Sequence, residues 1–217
     1  MVGAFVGRNC PLSQSKVGRE LGSNPRRGTK SSTMYNSDNK RTIIAFIGPA
    51  GSGKTEAARF LQKVYSFERT RFAEPLKRML KAGLGLSNEQ VDGSEKEIPT
   101  DKLCGRTPRH AMKTLGTEWG RDLMHPDFWV EAWRNTLPNA SRIVVDDMRF
   151  PNEHKIVKKR MKGTIIRIKR SGFDYDPTHP SEAHELEPDI VIYNPPELKI
   201  FHQRIADAVD KIILGIK

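Results

Sequence analysis

Eight consecutive residues, Gly48-Pro49-Ala50-Gly51-Ser52-Gly53-Lys54-Thr55, have the types and spacing that chemistry on phosphates requires. They spell G-x-x-x-x-G-K-[ST], and they stand between an apolar run, Ile43 to Ile47, and an amphipathic segment, Glu56 to Tyr65. Each fixed position has a physical reason. Glycines allow successive backbone N–H groups to turn inward around phosphate oxygens, and the N-terminus of the following helix adds a positive dipole. Lys54 is placed to reach the β- and γ-phosphates, and the Thr55 hydroxyl to ligate Mg²⁺. A glycine-rich turn with a chance lysine would not be expected to keep all four fixed positions in a strand-to-helix context. The expected nucleoside triphosphate site is therefore Gly48, Gly51, Ser52, Gly53, Lys54, Thr55 and Glu56.

Chemistry on that phosphate needs further groups. A hydrophobic strand ending in an acid is the usual Mg²⁺-side carboxylate of such proteins, and Val145-Asp146-Asp147 satisfies it. Strand-end capping or a salt bridge to Arg149 would explain the same acids. Both lie at a strand's carboxyl end, so the residues alone leave the choice between them open. A phosphorylated acceptor also needs cations beyond Lys54, and arginine grips phosphate bidentately. Arg109, Arg121, Arg149 and Arg170 are the candidates, each to be weighed against an ordinary solvated arginine. A nucleobase needs an aromatic face. Trp119, Phe128, Trp129 and Trp133 offer one, although Trp129 and Trp133 have a spacing that core packing explains equally well.

The elements that must position these groups follow from periodicity and punctuation. A strand is expected over Thr42–Ile47 and a helix over Lys54–Tyr65, with Ala57, Ala58, Phe60, Leu61 and Val64 as its buried stripe. Arg71-Phe72-Ala73 reads as a short strand, and Pro75 opens a helix reaching Leu84. The polar stretch Ser87–Thr107 reads as a mobile or inserted segment. Pro108 opens a helix toward Leu123 that Gly116-Thr117 should bend or end, and Asp127 is placed to cap the next one. Ile143–Val145, Thr164–Ile168 and Asp189–Tyr193 read as buried parallel strands. A basic helix follows Pro151, and a closing helix over Pro196–Leu214 should bury Ile200, Ile205, Val209 and Ile212/Ile213. Alternating strands and helices give an α/β class with a parallel central sheet.

At 217 residues the chain fits one domain preceded by a Ser-, Asn- and Arg-rich leader over residues 1–40, expected to be disordered, with Met34 as an alternative start. The net charge of +11 divides unevenly, since residues 1–40 hold seven Lys/Arg against two acids. The body is only moderately basic, as an enzyme handling several phosphates would be, so charge does not demand a nucleic-acid partner. Cys10 and Cys104 form no metal-ligand cluster and point to a reducing compartment. No apolar run is long enough to span a bilayer, and a soluble, cytoplasmic protein is expected (host cytoplasm if viral).

Several motifs carry a family resemblance. Phe72-Ala73-Glu74-Pro75-Leu76-Lys77, Thr107-Pro108-Arg109, Leu115-Gly116-Thr117-Glu118-Trp119-Gly120-Arg121 and Asp127-Phe128-Trp129-Val130 resemble the phage-type deoxynucleoside monophosphate kinases. So do Asp147-Met148-Arg149-Phe150-Pro151-Asn152-Glu153, His179-Pro180-Ser181-Glu182 and the strand Asp189 to Asn194. The match runs in order from residue 42 onward. It implies a P-loop kinase three-layer fold over residues 41–217 with a mobile acceptor and lid region. It also implies transfer of the ATP γ-phosphate, with Mg²⁺, to a deoxynucleoside 5′-monophosphate. Carried over by motif, Asp147 is the Mg²⁺-side acid beside Thr55. Arg109, Arg121 and Arg149 become phosphate ligands, while Thr117, Trp129 and Arg170 join Arg109 and Arg121 on the acceptor side. Two departures stand out. Thr55-Glu56 occupies the place where relatives often read Asp-Thr, and Met112-Lys113 the place of Leu-Gln.

Segments 86–107 and 170–187 are the candidate closing elements, since excluding water protects ATP from hydrolysis. The expected partners are ATP and a deoxynucleoside monophosphate; neither membrane nor nucleic acid is expected, and a homodimer is left open. Two alternatives remain: another small-molecule P-loop kinase, of dephospho-coenzyme A or phosphomevalonate type, and a nucleic-acid-dependent ATPase.

Overall fold

The computed structural model describes residues 41–173 and 186–216. The expected leader and the His179–Glu182 motif lie outside them. The described chain runs β1 (Thr42–Ile47), α1 (Lys54–Tyr65), β2 (Glu68–Thr70), α2 (Glu74–Leu84), α3 (Asn88–Val91), α4 (Pro108–Lys113), α5 (Phe128–Asn135), β3 (Arg142–Val145), α6 (Pro151–Lys155), β4 (Thr164–Lys169), β5 (Ile190–Tyr193) and α7 (Leu198–Leu214). Two 3₁₀ turns, Ser94–Glu97 and Asp101–Leu103, lie between α3 and α4. Helices α4 and α6 each continue with π-winding, over Thr114–Met124 and Ile156–Arg160.

Five parallel strands form one sheet in the order β2-β3-β1-β4-β5. The central strand β1 is apolar on both faces, as a strand covered from two sides must be. Alternation along each strand divides the core. Ile44, Phe46, Val144, Ile166, Ile168 and Ile192 meet Ala57, Ala58 and Leu61 of α1 and Phe201, Ile205 and Val209 of α7. Ile43, Ala45, Ile47, Ile143, Val145 and Ile165 meet Val130 and Trp133 of α5 and Ile156 and Val157 at the end of α6. This is the three-layer α/β arrangement the alternation predicts.

A third cluster, Leu76, Leu80, Leu86, Val91 and Trp129, ties α2 and α3 to α5. The polar 87–107 stretch is therefore a run of short helices, anchored through the fully buried Val91. Asp92 reinforces the anchor, accepting from Arg71 Nη1 and Lys77 Nζ at 2.5 Å each. Burial pushes the Asp92 carboxyl up, but Arg71 and Lys77 outweigh it and hold it at about 2.

Several local expectations are corrected. The second strand occupies Glu68–Thr70, and Arg71-Phe72-Ala73 form the turn into α2. An edge strand reading Glu-Arg-Thr shows no apolar pattern, so its position was hidden. Gly116-Thr117 does not end its helix. Gly116 faces Leu76 and Gly120 faces the Trp129 indole, where any Cβ would collide, and the Trp129 Nε1–H donates to the Gly116 carbonyl at 2.7 Å. The helix continues because its glycines serve as contact surfaces for α2 and α5. Val64 and Ile200 are exposed, and Phe201 fills the position predicted for Ile200. Asp127 makes no side-chain cap; its carboxylate accepts from Asn152 Nδ2 at 2.9 Å.

Candidate active site

The loop between β1 and α1 lies at the carboxyl edge of the sheet, beside the point where the chain turns from the β3 side to the β4 side. Ligands of open α/β sheets bind at such a crevice. Gly48 (φ 141°), Gly51 (φ 77°) and Gly53 (φ 111°) take backbone angles that side chains rarely allow. A Cβ on Gly48 would strike the Ile168 carbonyl, and one on Gly51 the Phe173 ring. Ser52 is fully buried, and its Oγ has no hydrogen-bond partner among the described residues. Asn194, just past β5, donates to the Ser52 carbonyl at 2.8 Å and ties the loop to the far side of the sheet. Lys54 Nζ is held at the loop by the Gly48 and Pro49 carbonyls, 2.6 Å from each.

Strand alternation decides between the two acids after β3. Val144 faces α1 and Val145 the opposite layer, so Asp146 returns to the α1 side and Asp147 does not. Asp146 Oδ2 accepts from Thr55 Oγ1 at 2.9 Å. Arg69 of β2 grips the same carboxylate with Nε at 3.0 Å and Nη2 at 2.5 Å. Asp147 instead accepts from the backbone N–H groups of Phe72 (2.8 Å) and Ala73 (3.0 Å) at the entrance to α2. Asp146 thus stands beside Thr55 where Asp147 was expected, and Asp147 lies at the entrance to α2. Burial raises the Asp147 carboxyl above its ordinary range; the Ala73 N–H opposes this, and the Asp146 charge reinforces it.

Downstream of β3, Glu153 is 2% exposed and gathers several groups. Its Oε2 accepts from the Arg149 N–H at 2.7 Å and the Phe150 N–H at 3.1 Å, and its Oε1 from Arg121 Nη2 at 2.8 Å. The Arg121 guanidinium also lies over the Phe150 ring, 3.8 Å from its centroid. Burial lifts the Glu153 carboxyl to about 7, helped by Asp147 and opposed by the Arg149 N–H and Arg121. The Arg121 side chain and the Arg149 backbone are therefore brought together on Glu153 at the β3 exit.

The other predicted residues lie elsewhere. Arg109 is exposed and pairs with Glu97 at 2.7 Å, because the N-terminus of α4 faces the 3₁₀ turn. Thr117 is exposed on the π-wound segment. Trp129 is 3% exposed within the α2–α5 cluster, the core-packing alternative that its spacing allowed. Trp133 is equally buried and donates to Thr70 Oγ1 at 3.1 Å. Arg170 sits on the donor side, donating to the Gly51 carbonyl at 3.3 Å, since β4 pairs with β1 and its exit passes the loop. Glu56 turns away from Thr55 to meet His202 Nε2 of α7 at 3.0 Å.

Sequence reasoning did not single out Arg69 or Glu153, and it weighed Asp146 beside Asp147 before the resemblance favoured Asp147. The period-two rule separates Asp146 from Asp147, but it does not reveal which face α1 covers. A cavity of about 440 Å³ runs along the free edge of β2, lined by Arg69, Arg71, Glu74, Arg78 and Trp133 among others. Among the described residues no group of three or more His, Cys, Asp or Glu could hold a metal ion by itself. The donors at the loop are instead one hydroxyl and one carboxylate, an oxygen set that fits Mg²⁺, which takes few protein ligands and completes its shell with phosphate and water. No helix among the described residues is long and apolar enough to cross a membrane.

No protein-family profile matches the chain. A mimivirus protein named "Putative deoxynucleotide monophosphate kinase" is 35% identical over 188 residues, covering 77% of this chain and 96% of that protein. The deoxynucleoside-5′-monophosphate kinase of Escherichia phage T5 is 27% identical over 85 residues, covering 36% of this chain and 34% of the phage protein. Among solved structures, TT1252 of Thermus thermophilus is similar at a TM-score of 0.46 and 17% identity, over 78% of this chain and 96% of that one. With a phosphate loop joining β1 to α1 beneath a parallel sheet, and that extent of identity to the mimivirus protein, the chain belongs to the deoxynucleotide monophosphate kinase family of P-loop kinases.

Proposed function

We propose that this protein transfers the γ-phosphoryl group of ATP to a deoxynucleoside 5′-monophosphate, giving the diphosphate and ADP. One observation carries the reading: Thr55 and Asp146 meet at 2.9 Å on the sheet edge where the phosphate loop opens. The names of the two viral relatives support the acceptor class. Loop N–H groups and Lys54 hold the donor phosphates, and Thr55 and Asp146 would hold Mg²⁺. Bound there, the ion would neutralise charge on the phosphate oxygens. Arg69 keeps Asp146 aimed at Thr55, and Arg121 and Arg149 would meet the charge of the transferred group. Positioning and electrostatics suffice for such a transfer, and no covalent intermediate is needed.

A coupled assay with ATP and a panel of acceptors tests the reading. The panel holds the common deoxynucleoside and nucleoside monophosphates, dephospho-coenzyme A and phosphomevalonate. Turnover is expected with deoxynucleoside monophosphates and is expected to disappear in Lys54→Ala with the fold retained. Preference for another acceptor, or near-normal turnover in that variant, refutes it. DNA-stimulated ATP hydrolysis without acceptor turnover would identify an ATPase.

A further inference from the structure

The buried carboxylate of Glu153 takes no direct part in the proposed transfer, yet it joins a side chain and two backbone N–H groups at the β3 exit. It sits at the third position of α6 and reaches back to the Phe150 N–H, as an acid there does in a capping box. Capping needs only that one bond. Glu153 also accepts the Arg149 N–H, and its second oxygen leaves the helix to pair with Arg121 of the π-wound segment. The same seam is closed a second time. Asn152 Nδ2 donates to the Pro126 carbonyl and to Asp127 Oδ1 at 2.9 Å each, and Arg121 lies flat on Phe150.

With its side chain 3% exposed, an unpaired Glu153 would be costly, so the pair fixes Arg121 firmly. Arg121 is itself only 15% exposed, held on one edge by Glu153 and on one face by Phe150. An arginine confined in that way keeps its remaining N–H groups in one orientation, as a cation needs in order to meet a developing charge without reorganising. Asp147 shares this neighbourhood, and its charge acts on Glu153.

We propose that Glu153 is a positioning residue of the phosphoryl-transfer site, one carboxylate that sets both the Arg121 guanidinium and the Arg149–Phe150 backbone. The inference rests on the kinase reading and adds a residue that never touches substrate. It separates two roles within the Asp147–Glu153 motif, whose first acid serves the entrance to α2 and whose last holds the Arg121 side chain and the Arg149 N–H. An orienting role predicts losses in turnover; a purely structural one predicts losses in stability.

The test compares wild type, Glu153→Gln, Glu153→Asp, Arg121→Met and the Glu153→Gln/Arg121→Met double variant. Turnover, KM for ATP, KM for the monophosphate and Tm are measured for each. Glu153→Gln should lower kcat by about tenfold or more, with KM for ATP within about twofold of wild type, because misplacing a transfer group acts mainly on the chemical step. The double variant should lose less than the two single losses combined, since the share of the Glu153 effect that passes through Arg121 has nothing left to orient. Glu153→Asp, one methylene shorter, should restore little of the loss. Unchanged kcat in Glu153→Gln, a fall in Tm without a fall in kcat, or additive losses in the double variant would each overturn the proposal. A wild-type protein that phosphorylates no monophosphate would remove the kinase reading itself, and with it this inference.

Discussion

Asp146 and Asp147 are adjacent, chemically identical and oppositely employed. One accepts from the Thr55 hydroxyl and the other from two backbone N–H groups at α2. On the proposed reading, Asp146→Asn should lower kcat by on the order of a hundredfold and raise the Mg²⁺ concentration needed for activity, because a carboxylate that would hold a phosphate-bound cation acts on the chemical step. Asp147→Asn should instead leave the Mg²⁺ requirement unchanged and cost roughly 1–2 kcal/mol of stability, since the amide serves two N–H donors less well. Mg²⁺ titrations of activity beside thermal melts separate the two, and the reverse pattern would return the metal side to Asp147. The sequence made the phosphate loop fully legible, because its residues are consecutive and their backbone angles call for glycine. It could not assign the acids, since that depends on which sheet face α1 covers, a fact of packing. Arg69 was hidden for a related reason, lying in a charged edge strand with no periodic signal.

At the scale of elements, legibility followed local punctuation. The bounds of β1, α1 and α2 coincide with those expected, because Gly48–Gly53, Pro75 and Gly85 mark them chemically. Winding was not legible. Thr114–Met124 has ordinary helix formers and two glycines, and nothing in propensity separates α- from π-winding. The structure supplies the reason for the glycines, which lets the segment be tested. Gly120 lies against the Trp129 indole, so Gly120→Ala must displace a buried ring and should cost about 1–3 kcal/mol. Trp129→Phe keeps most of the ring but removes the donor to the Gly116 carbonyl, at a cost of about 1–3 kcal/mol if that carbonyl stays buried. In a chain of this size each kcal/mol lowers Tm by roughly 2–4 °C. Melts that leave both variants at the wild-type Tm would show that the π-wound segment is not clamped as described.

For the whole molecule, the paired and buried acids Asp92 and Glu153 give stability a predictable pH dependence. Asp92 is held at about 2 against an ordinary 3.8, so the stability it contributes is full above pH 3.8 and is lost as the pH falls through about 2. Glu153 acts in the opposite sense. Its ordinary value is 4.5 and its folded value about 7, so the folded chain retains a proton there that the unfolded chain has released. That contribution is full below pH 4.5 and is lost as the pH rises through about 7. Asp147, also raised, adds to the same decline. Tm should therefore fall across the interval from 4.5 to 7 by an amount equivalent to on the order of 3 kcal/mol, since a tenfold change in proton affinity is worth about 1.4 kcal/mol. Glu153→Gln cannot ionise and should flatten most of this fall, and Asp92→Asn should flatten only the acid side. Calorimetry of the three proteins in matched buffers gives the comparison. An equally steep decline in Glu153→Gln would mean that other groups carry it, and that the Arg121 pair keeps Glu153 ionised throughout.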